Sequence, residues 1–141
     1  MNYARTGIIL HTENYAECVD FYSRVLELPI LFALDNTHSK LTCCDMGAGN
    51  YLMVEAEGRA VSGGKSVEQN PVWLRFNVDN VESSMKQLEA KGIAVSLRRE
   101  AWGTVADFTD PDGNYCSLRD EGSFLPDSST NGETRPKHST R

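Results

Sequence analysis

The chain has 141 residues, enough for one domain with a sizeable apolar core. Its composition, with 40% apolar and 24% charged residues, is typical of soluble proteins. The net charge of -6 disfavours a nucleic-acid partner, because phosphate binding needs a basic face. No apolar run approaches the roughly 20 residues that span a membrane. The N-terminus leads into a predicted strand without a secretory signal, so the sequence predicts a cytoplasmic protein with no membrane partner.

The first half of the chain predicts a strand, a helix and three further strands. The strands are rich in β-branched and aliphatic residues and cover residues 6–11, 30–34, 40–46 and 51–56. Asn14 and Glu17 form a capping-box pattern at the start of the helix, and Pro29 is predicted to end it. Apolar residues recur between them at helical spacing, which indicates one buried face.

The second half predicts the same order of elements again. Strands are predicted over residues 72–78, 95–99, 104–109 and 115–119, and Asp79 with Glu82 repeats the capping pattern before a second helix. Gly92 suits the left-handed position at the end of that helix. The sequence therefore predicts an α+β fold of two βαβββ modules that share one core.

Two segments outside these modules have no apolar periodicity. Residues 57–71 are predicted to be a linker, and its two adjacent glycines would permit it to move as a lid. Residues 122–141 are polar and predict a disordered tail. The predicted organisation is one domain over residues 1–121, with module one at 6–56 and module two at 72–121.

The four cysteines lack the spacing of a zinc site: Cys18, Cys43, Cys44 and Cys116. Adjacent residues of a strand point to opposite faces, so one metal would not easily take both thiols of the neighbouring pair. The prediction is reduced, mostly packed thiols, with a single cavity-facing thiol as the alternative.

Three segments, at residues 14–28, 78–92 and 102–114, carry a family resemblance. The first contains Phe21-Tyr22 and Val25-Leu26, and the third reads Trp-Gly, then Phe, then Asp-Pro-Asp-Gly-Asn. They resemble the vicinal oxygen chelate superfamily, which includes glyoxalase I, extradiol dioxygenases, fosfomycin-resistance enzymes and bleomycin-binding proteins. The resemblance implies paired modules whose sheets curve into a half-barrel around a small-molecule cavity, and a homodimer.

The resemblance also implies four positions for the ligands of a divalent metal, on the first and last strands of the modules. Those positions hold Gly7, Glu55, Trp73 and Ser117. A carboxylate suits zinc, nickel, iron or manganese, whereas glycine and tryptophan supply no donor atom and a serine hydroxyl is a poor neutral ligand. The comparison predicts a degenerate site and no metal cofactor. As the alternative, His11 shares a face with Gly7 by strand alternation and could hold a metal together with Glu55.

The predicted ligand-binding residues are His11, Glu55, Trp73, Arg75, Trp102 and Ser117. Trp73 either supplies a platform for stacking or fills the core. Arg75 should pair with an acid such as Glu55 or bind an anionic ligand, because an isolated buried charge is costly. Trp102 either caps a ligand or packs on the sheet edge.

Three functions follow from these residues. The favoured hypothesis is a metal-independent protein that sequesters or senses a small organic molecule. The second is a lyase or dioxygenase with a relocated metal at His11 and Glu55. The third is a metal-free enzyme in which Glu55 or His11 acts as a general base. The sequence assigns no catalytic residue.

Overall fold

The computed structural model describes residues 1–56, 68–70 and 72–126. The chain divides into two compact units, of which unit 1 is Met1–Asn70 with Asp110–Gly113 and unit 2 is Pro71–Thr109 with Asn114–Arg141. Most of the predicted linker, at residues 57–67 and 71, lies outside the described residues, and so does the tail from residue 127. In the described part of the chain, no helix is both long enough and apolar enough to cross a membrane.

Unit 1 contains one four-stranded mixed sheet. In chain order its strands are β1 at Thr6–Thr12, β2 at Ile30–Asp35, β3 at Lys40–Gly47 and β4 at Asn50–Ala56. Strand β1 pairs in parallel with β4, and β3 lies antiparallel between β4 and β2, so that the order is β1-β4-β3-β2. All four strands agree with the predicted ranges to within one residue.

Unit 2 contains a second four-stranded sheet, with β5 at Trp73–Val78, β6 at Ser96–Glu100, β7 at Gly103–Thr109 and β8 at Tyr115–Asp120. It repeats the topology of unit 1 with the order β5-β8-β7-β6, in which β5 and β8 are the parallel pair. The repetition confirms the predicted α+β fold of two βαβββ modules. These strands also match their predicted ranges to within one residue.

Each unit carries one helix with a buried apolar stripe. Helix α1, Tyr15–Asp20, continues as a π-helical segment at Phe21–Val25, so the helical region ends before Pro29. The chain turns at Glu27, which has a φ of 62°, and Pro29 lies beyond that turn. Helix α2, Val81–Ala90, ends as predicted at Gly92, whose φ is 87°.

Asn14 is the N-cap residue of α1 as predicted, but the predicted side-chain capping bond is absent, and the cap predicted for α2 at Asp79 is wrong. Asn14 makes no side-chain bond to its own helix, and its Nδ2 donates instead to Oδ1 of Asp112 at 2.7 Å. In α2 the capping residue is Asn80, whose side chain accepts from the Ser83 N–H at 3.0 Å, so the cap lies one residue after the predicted Asp79.

Strand β2 is an edge strand with an exposed apolar surface. All six of its residues are exposed, although four of them are large and hydrophobic. These four are between 43% and 50% exposed: Ile30, Leu31, Phe32 and Leu34. In contrast, Leu52 and Val54 on the interior strand β4 of the same sheet are fully buried.

Candidate ligand-binding site

In unit 1, an aromatic ring fills the space at the first expected metal-ligand position. Gly7 lies opposite Tyr51 in the parallel pair of β1 and β4, and opposite residues share a face of the sheet. A Cβ added to Gly7 would lie closer to the ring carbons of Tyr51 than real Cβ atoms approach. A ligating side chain at position 7 would therefore require this ring to move.

The structure brings the two residues of the alternative metal site together. His11 lies opposite Glu55, and its Nδ1 is 3.6 Å from the carboxylate Oε1. The imidazole is 51% exposed and the carboxylate 32%, so both contact solvent. Within the described ranges, however, no group of three or more His, Cys, Asp and Glu side chains could hold a metal ion.

In unit 2, strands β5 and β8 place polar and aromatic side chains on one face. Trp73 lies opposite Tyr115, Arg75 opposite Ser117, and Asn77 opposite Arg119. Apolar residues alternate with them along the strands and are buried on the other face, among them Leu74, Cys116 and Leu118. We call the first of these two surfaces the polar face of unit 2.

Trp73 contributes an aromatic surface to the polar face. Its ring stacks on that of Tyr115, with centroids 5.1 Å apart and planes inclined by 18°. Both side chains are half-buried, so the pair is partly open to solvent. Trp73 therefore occupies the second expected ligand position with a stacked pair of rings and no metal-binding atom.

Ser117 occupies another position at which a metal ligand is expected, and its hydroxyl is hydrogen-bonded to the guanidinium of Arg75. Its Oγ accepts a hydrogen bond from Nε of Arg75 at 2.9 Å, and the residue is fully buried. One partner of Arg75 is thus a hydroxyl on the same face of the sheet. A guanidinium at this distance opposes a metal cation on the same oxygen, because like charges repel strongly where water is excluded.

Trp102 contacts both arginines of this region. Its ring centroid is 5.6 Å from Cζ of Arg75 and 4.8 Å from Cζ of Arg119, distances typical of cation–π interactions. Nη2 of Arg119 donates to the Trp102 carbonyl at 2.9 Å, which fixes the loop that carries the ring. Trp102, Arg75 and Arg119 form a contiguous group that we call the arginine–indole cluster.

Gly103 allows the chain to pack closely behind Trp102. Its φ is 154°, and an added Cβ would lie 2.5 Å from Ser123 Oγ and 3.0 Å from Asp120 Oδ1. Asp120 accepts hydrogen bonds from Ser123 and from the Thr104 N–H, and these bonds hold the pKa of its carboxyl below the usual value. The close packing around position 103 therefore explains why glycine follows Trp102 in the sequence signature.

Sequence reasoning missed the segment that follows β8. A 3-10 turn spans Glu121–Ser123, where the polar tail was predicted to begin, and the Ser123 carbonyl accepts from Nη2 of Arg119 at 2.9 Å. The ring of Phe124 lies 5.5 Å from Cζ of Arg119. An aromatic residue at the start of an otherwise polar segment was the signal that could have indicated this packing.

Arg98, on strand β6 of the same sheet, forms ion pairs with two acidic side chains. Arg98 Nε lies 2.5 Å from Oδ2 of Asp107, and Nη1 lies 2.8 Å from Oε2 of Glu100. The hydrogen bond to Asp107 is the main cause of the raised pKa of Arg98. By comparison, Arg119 makes no ion pair with a carboxylate in the part of the chain that the structure describes.

All four cysteines are buried, as predicted for packed thiols. Burial is also the main cause of the raised pKa values of Cys43 and Cys44, so their thiolate fractions are lower than those of exposed cysteines at the same pH.

The repeated βαβββ order and the signature segments define a two-module protein of the vicinal oxygen chelate type. The family model of the Glyoxalase/Bleomycin resistance protein/Dioxygenase superfamily matches residues 6–118. The chain belongs to this superfamily, as the sequence resemblance predicted. Among the curated proteins, none matches the chain.

Solved structures with similar folds carry different functional names. TnmS3, an antibiotic binding protein from Streptomyces sp. CB03234, is 20% identical with a TM-score of 0.67, over 85% of this chain and 96% of that chain. A lactoylglutathione lyase from Agrobacterium tumefaciens is 18% identical with a TM-score of 0.67, over 89% and 98%. At such identities the similarity establishes the fold, which both a binding protein and a lyase use.

Proposed function

We propose that this protein binds a small organic molecule without a metal and acts by sequestering or sensing it. The observation that carries the proposal is the hydrogen bond from Arg75 Nε to Ser117 Oγ at 2.9 Å. It places a permanent positive charge at one of the positions where the family resemblance expects a metal ligand. A metal cation there would have to displace or tolerate the guanidinium.

Two further expected ligand positions support the same proposal for different physical reasons. Trp73 offers a stacked ring, and the space at Gly7 is taken by the ring of Tyr51. Rings at these positions favour contact with a planar or amphipathic organic molecule over coordination. The binding surface that we propose is the polar face of unit 2.

A solved structure of the same fold supports a binding role. TnmS3 is named an antibiotic binding protein, so the fold can serve binding as such. For this chain we propose only the same general activity, namely binding of a small organic molecule. The lyase among the similar structures is the reason to retain an enzymatic candidate.

The second candidate is a lyase or dioxygenase that holds a metal at His11 and Glu55. The 3.6 Å separation between His11 Nδ1 and Glu55 Oε1 is the observation in its favour. Imidazole and carboxylate suit nickel, zinc, iron and manganese, but a catalytic site usually takes at least three protein ligands. The third candidate uses one of these two residues as a general base without a metal.

Metal analysis of the full-length, tag-free protein tests the proposal. After incubation with Ni²⁺, Zn²⁺, Fe²⁺ or Mn²⁺ and desalting, we expect metal well below one equivalent by mass spectrometry. The double variant His11→Ala/Glu55→Ala should give the same result, and His38→Ala is the control for an exposed histidine outside the site. Stoichiometric metal that disappears only in the double variant would refute the proposal and establish the second candidate.

We also propose that the protein is a cytoplasmic homodimer that has no nucleic-acid partner. The exposed apolar residues of edge strand β2 support association with a second copy, because an uncovered apolar edge favours pairing. The net charge of -6 supports the absence of a nucleic-acid partner. Light scattering should give twice the monomer mass for the native chain and a lower mass for Phe32→Glu. A native chain that is monomeric at all concentrations would contradict the dimer.

A further inference from the structure

Helix α1 packs on one face of the sheet in unit 1. The hydroxyl oxygen of Tyr15, on the helix, lies 2.5 Å from Oγ1 of Thr42 on β3. Thr42 lies opposite Val54 of β4, which is fully buried on the same face. Adjacent residues of a strand point to opposite faces, so Glu55, which follows Val54, lies on the other face of the sheet.

Strands β1 and β4 bring apolar side chains and an acid to this other face. Ile9 lies opposite Met53, and His11 lies opposite Glu55. Ile9 is 50% exposed, Met53 is half-buried, and the Glu55 carboxylate is 32% exposed. A molecule in solvent can therefore reach each of these side chains. We call these four residues, together with Tyr51, the open face of unit 1.

Tyr51 extends the apolar part of the open face. Its ring lies against Gly7, where an added Cβ would overlap the ring carbons, and the residue is half-buried. Tyr51 is two residues before Met53 on β4, and Met53 is two residues before Glu55, each step spanning about 7 Å. A ring, a thioether and a carboxylate thus follow one another along the strand. The apolar surface ends at one negative charge.

Glu55 forms no ion pair with a lysine or an arginine among the residues that the structure describes. Its ionic partner is His11, whose Nδ1 lies 3.6 Å from Oε1 and which is charged only when it is protonated. Asp20, in the same unit, shows the contrasting arrangement, because both of its carboxylate oxygens accept hydrogen bonds from the permanently charged Arg24. The carboxylate of Glu55 is therefore accessible to a cation from solvent.

We propose that the open face of unit 1 binds a lipophilic primary amine. The apolar body of the amine lies on Ile9, Met53 and Tyr51, and its ammonium group donates a hydrogen bond to Glu55. Burial of the body removes apolar surface from water, and the hydrogen bond is charge-assisted. The net charge of -6 favours the approach of a cation over that of an anion. This site goes beyond the proposed function, because it uses no residue of the polar face of unit 2.

Three probes with the same phenylbutyl body and different charge test the inference. Ligand-observed NMR titration of the EDTA-treated full-length protein compares 4-phenylbutylamine, neutral 4-phenylbutanol and anionic 4-phenylbutyrate. We expect the amine to bind about tenfold more tightly than the alcohol, because it adds a charge-assisted hydrogen bond. The acid should bind more weakly than the alcohol, since Glu55 repels its carboxylate. Affinity for the amine should fall as salt is raised.

Substitutions of two glutamates in unit 1 locate the site. Glu55→Gln keeps the shape of the side chain and removes its charge, so this variant should bind the amine and the alcohol equally. Glu17→Gln is the matched control, because Glu17 is exposed on α1 and its substitution changes the net charge by the same amount. This control should keep the preference for the amine. Ile9→Ala, at an exposed position, should weaken the binding of all three probes.

Four results would overturn the inference. They are equal binding of amine and alcohol by the native protein, a preference that survives in Glu55→Gln, a preference that is also lost in Glu17→Gln, and absence of binding by all three probes. Each of them leaves the proposed function standing, because that proposal concerns the polar face of unit 2. Stoichiometric metal that depends on His11 and Glu55 would instead refute the proposed function, and the amine titration of the EDTA-treated protein does not depend on that measurement.

Discussion

Asp110→Ala is expected to lower the free energy of unfolding by about 3 kcal/mol, because the change removes a buried carboxylate to which Tyr22 and Asp112 donate hydrogen bonds. Asp110 is 4% exposed. Its Oδ2 accepts from the Tyr22 hydroxyl at 2.7 Å, and its Oδ1 accepts from the Asp112 N–H at 2.9 Å. The loss should appear as a lower midpoint in urea denaturation followed by circular dichroism.

Two further variants test this explanation. Tyr22→Phe removes one donor and leaves the carboxylate its bond to Asp112, so we expect a smaller loss than for Asp110→Ala. Asp45→Ala is the matched control, since Asp45 accepts the Gly47 N–H at 2.7 Å in a turn that is open to solvent. Its cost should stay below about 1 kcal/mol. An Asp110 variant no less stable than the Asp45 variant would contradict the argument.

Leu52→Ala is expected to cost about 3 kcal/mol, because it opens a cavity in a fully buried part of unit 1. Leu52 is 0% exposed and lies on the interior strand β4. Its neighbours in register are Ile8 on β1 and Cys44 on β3, so strands on both sides limit how far the site can collapse. Equilibrium unfolding in urea measures the change.

Leu125→Ala provides the control with the same change of side chain. Leu125 is 73% exposed, so its truncation removes little buried area and should change the free energy of unfolding by less than about 0.5 kcal/mol. Unlike the leucines of β2, it lies outside the surface that we propose for dimerisation. Equal losses in the two variants would show that burial does not determine the cost of truncating a leucine in this protein.

The strands were predictable to within one residue because their information is local. Alternating or continuous apolar runs end at turn residues, and the left-handed Gly92 follows the same local rule. The helix caps were not predictable in this way. Asn14 bonds to Asp112, which is 98 residues away in the chain, so a tertiary contact overrides the local capping preference.

In the candidate site, too, features set by local sequence were predictable and features set by tertiary contacts were not. Strand alternation was enough to place Trp73 and Arg75 on one face, but register was needed to place Ser117 beside Arg75. The contacts of Trp102 with two arginines depend on a loop and on the turn after β8. Neither segment has the sequence periodicity from which its position could be predicted. The ring that fills the space at Gly7 likewise depends on the pairing of β1 with β4, which the sequence does not specify.

The placement of Asp110–Gly113 in unit 1 affects when that unit can complete its folding during synthesis on the ribosome. All four strands of the first sheet are synthesised by Ala56, so that sheet can pair early. The acceptor for the Tyr22 hydroxyl, however, is encoded 88 residues after the tyrosine. At about 5–20 residues per second, several seconds of translation separate the two groups. The N-terminal unit therefore reaches its full set of buried hydrogen bonds only when most of the second module has been translated.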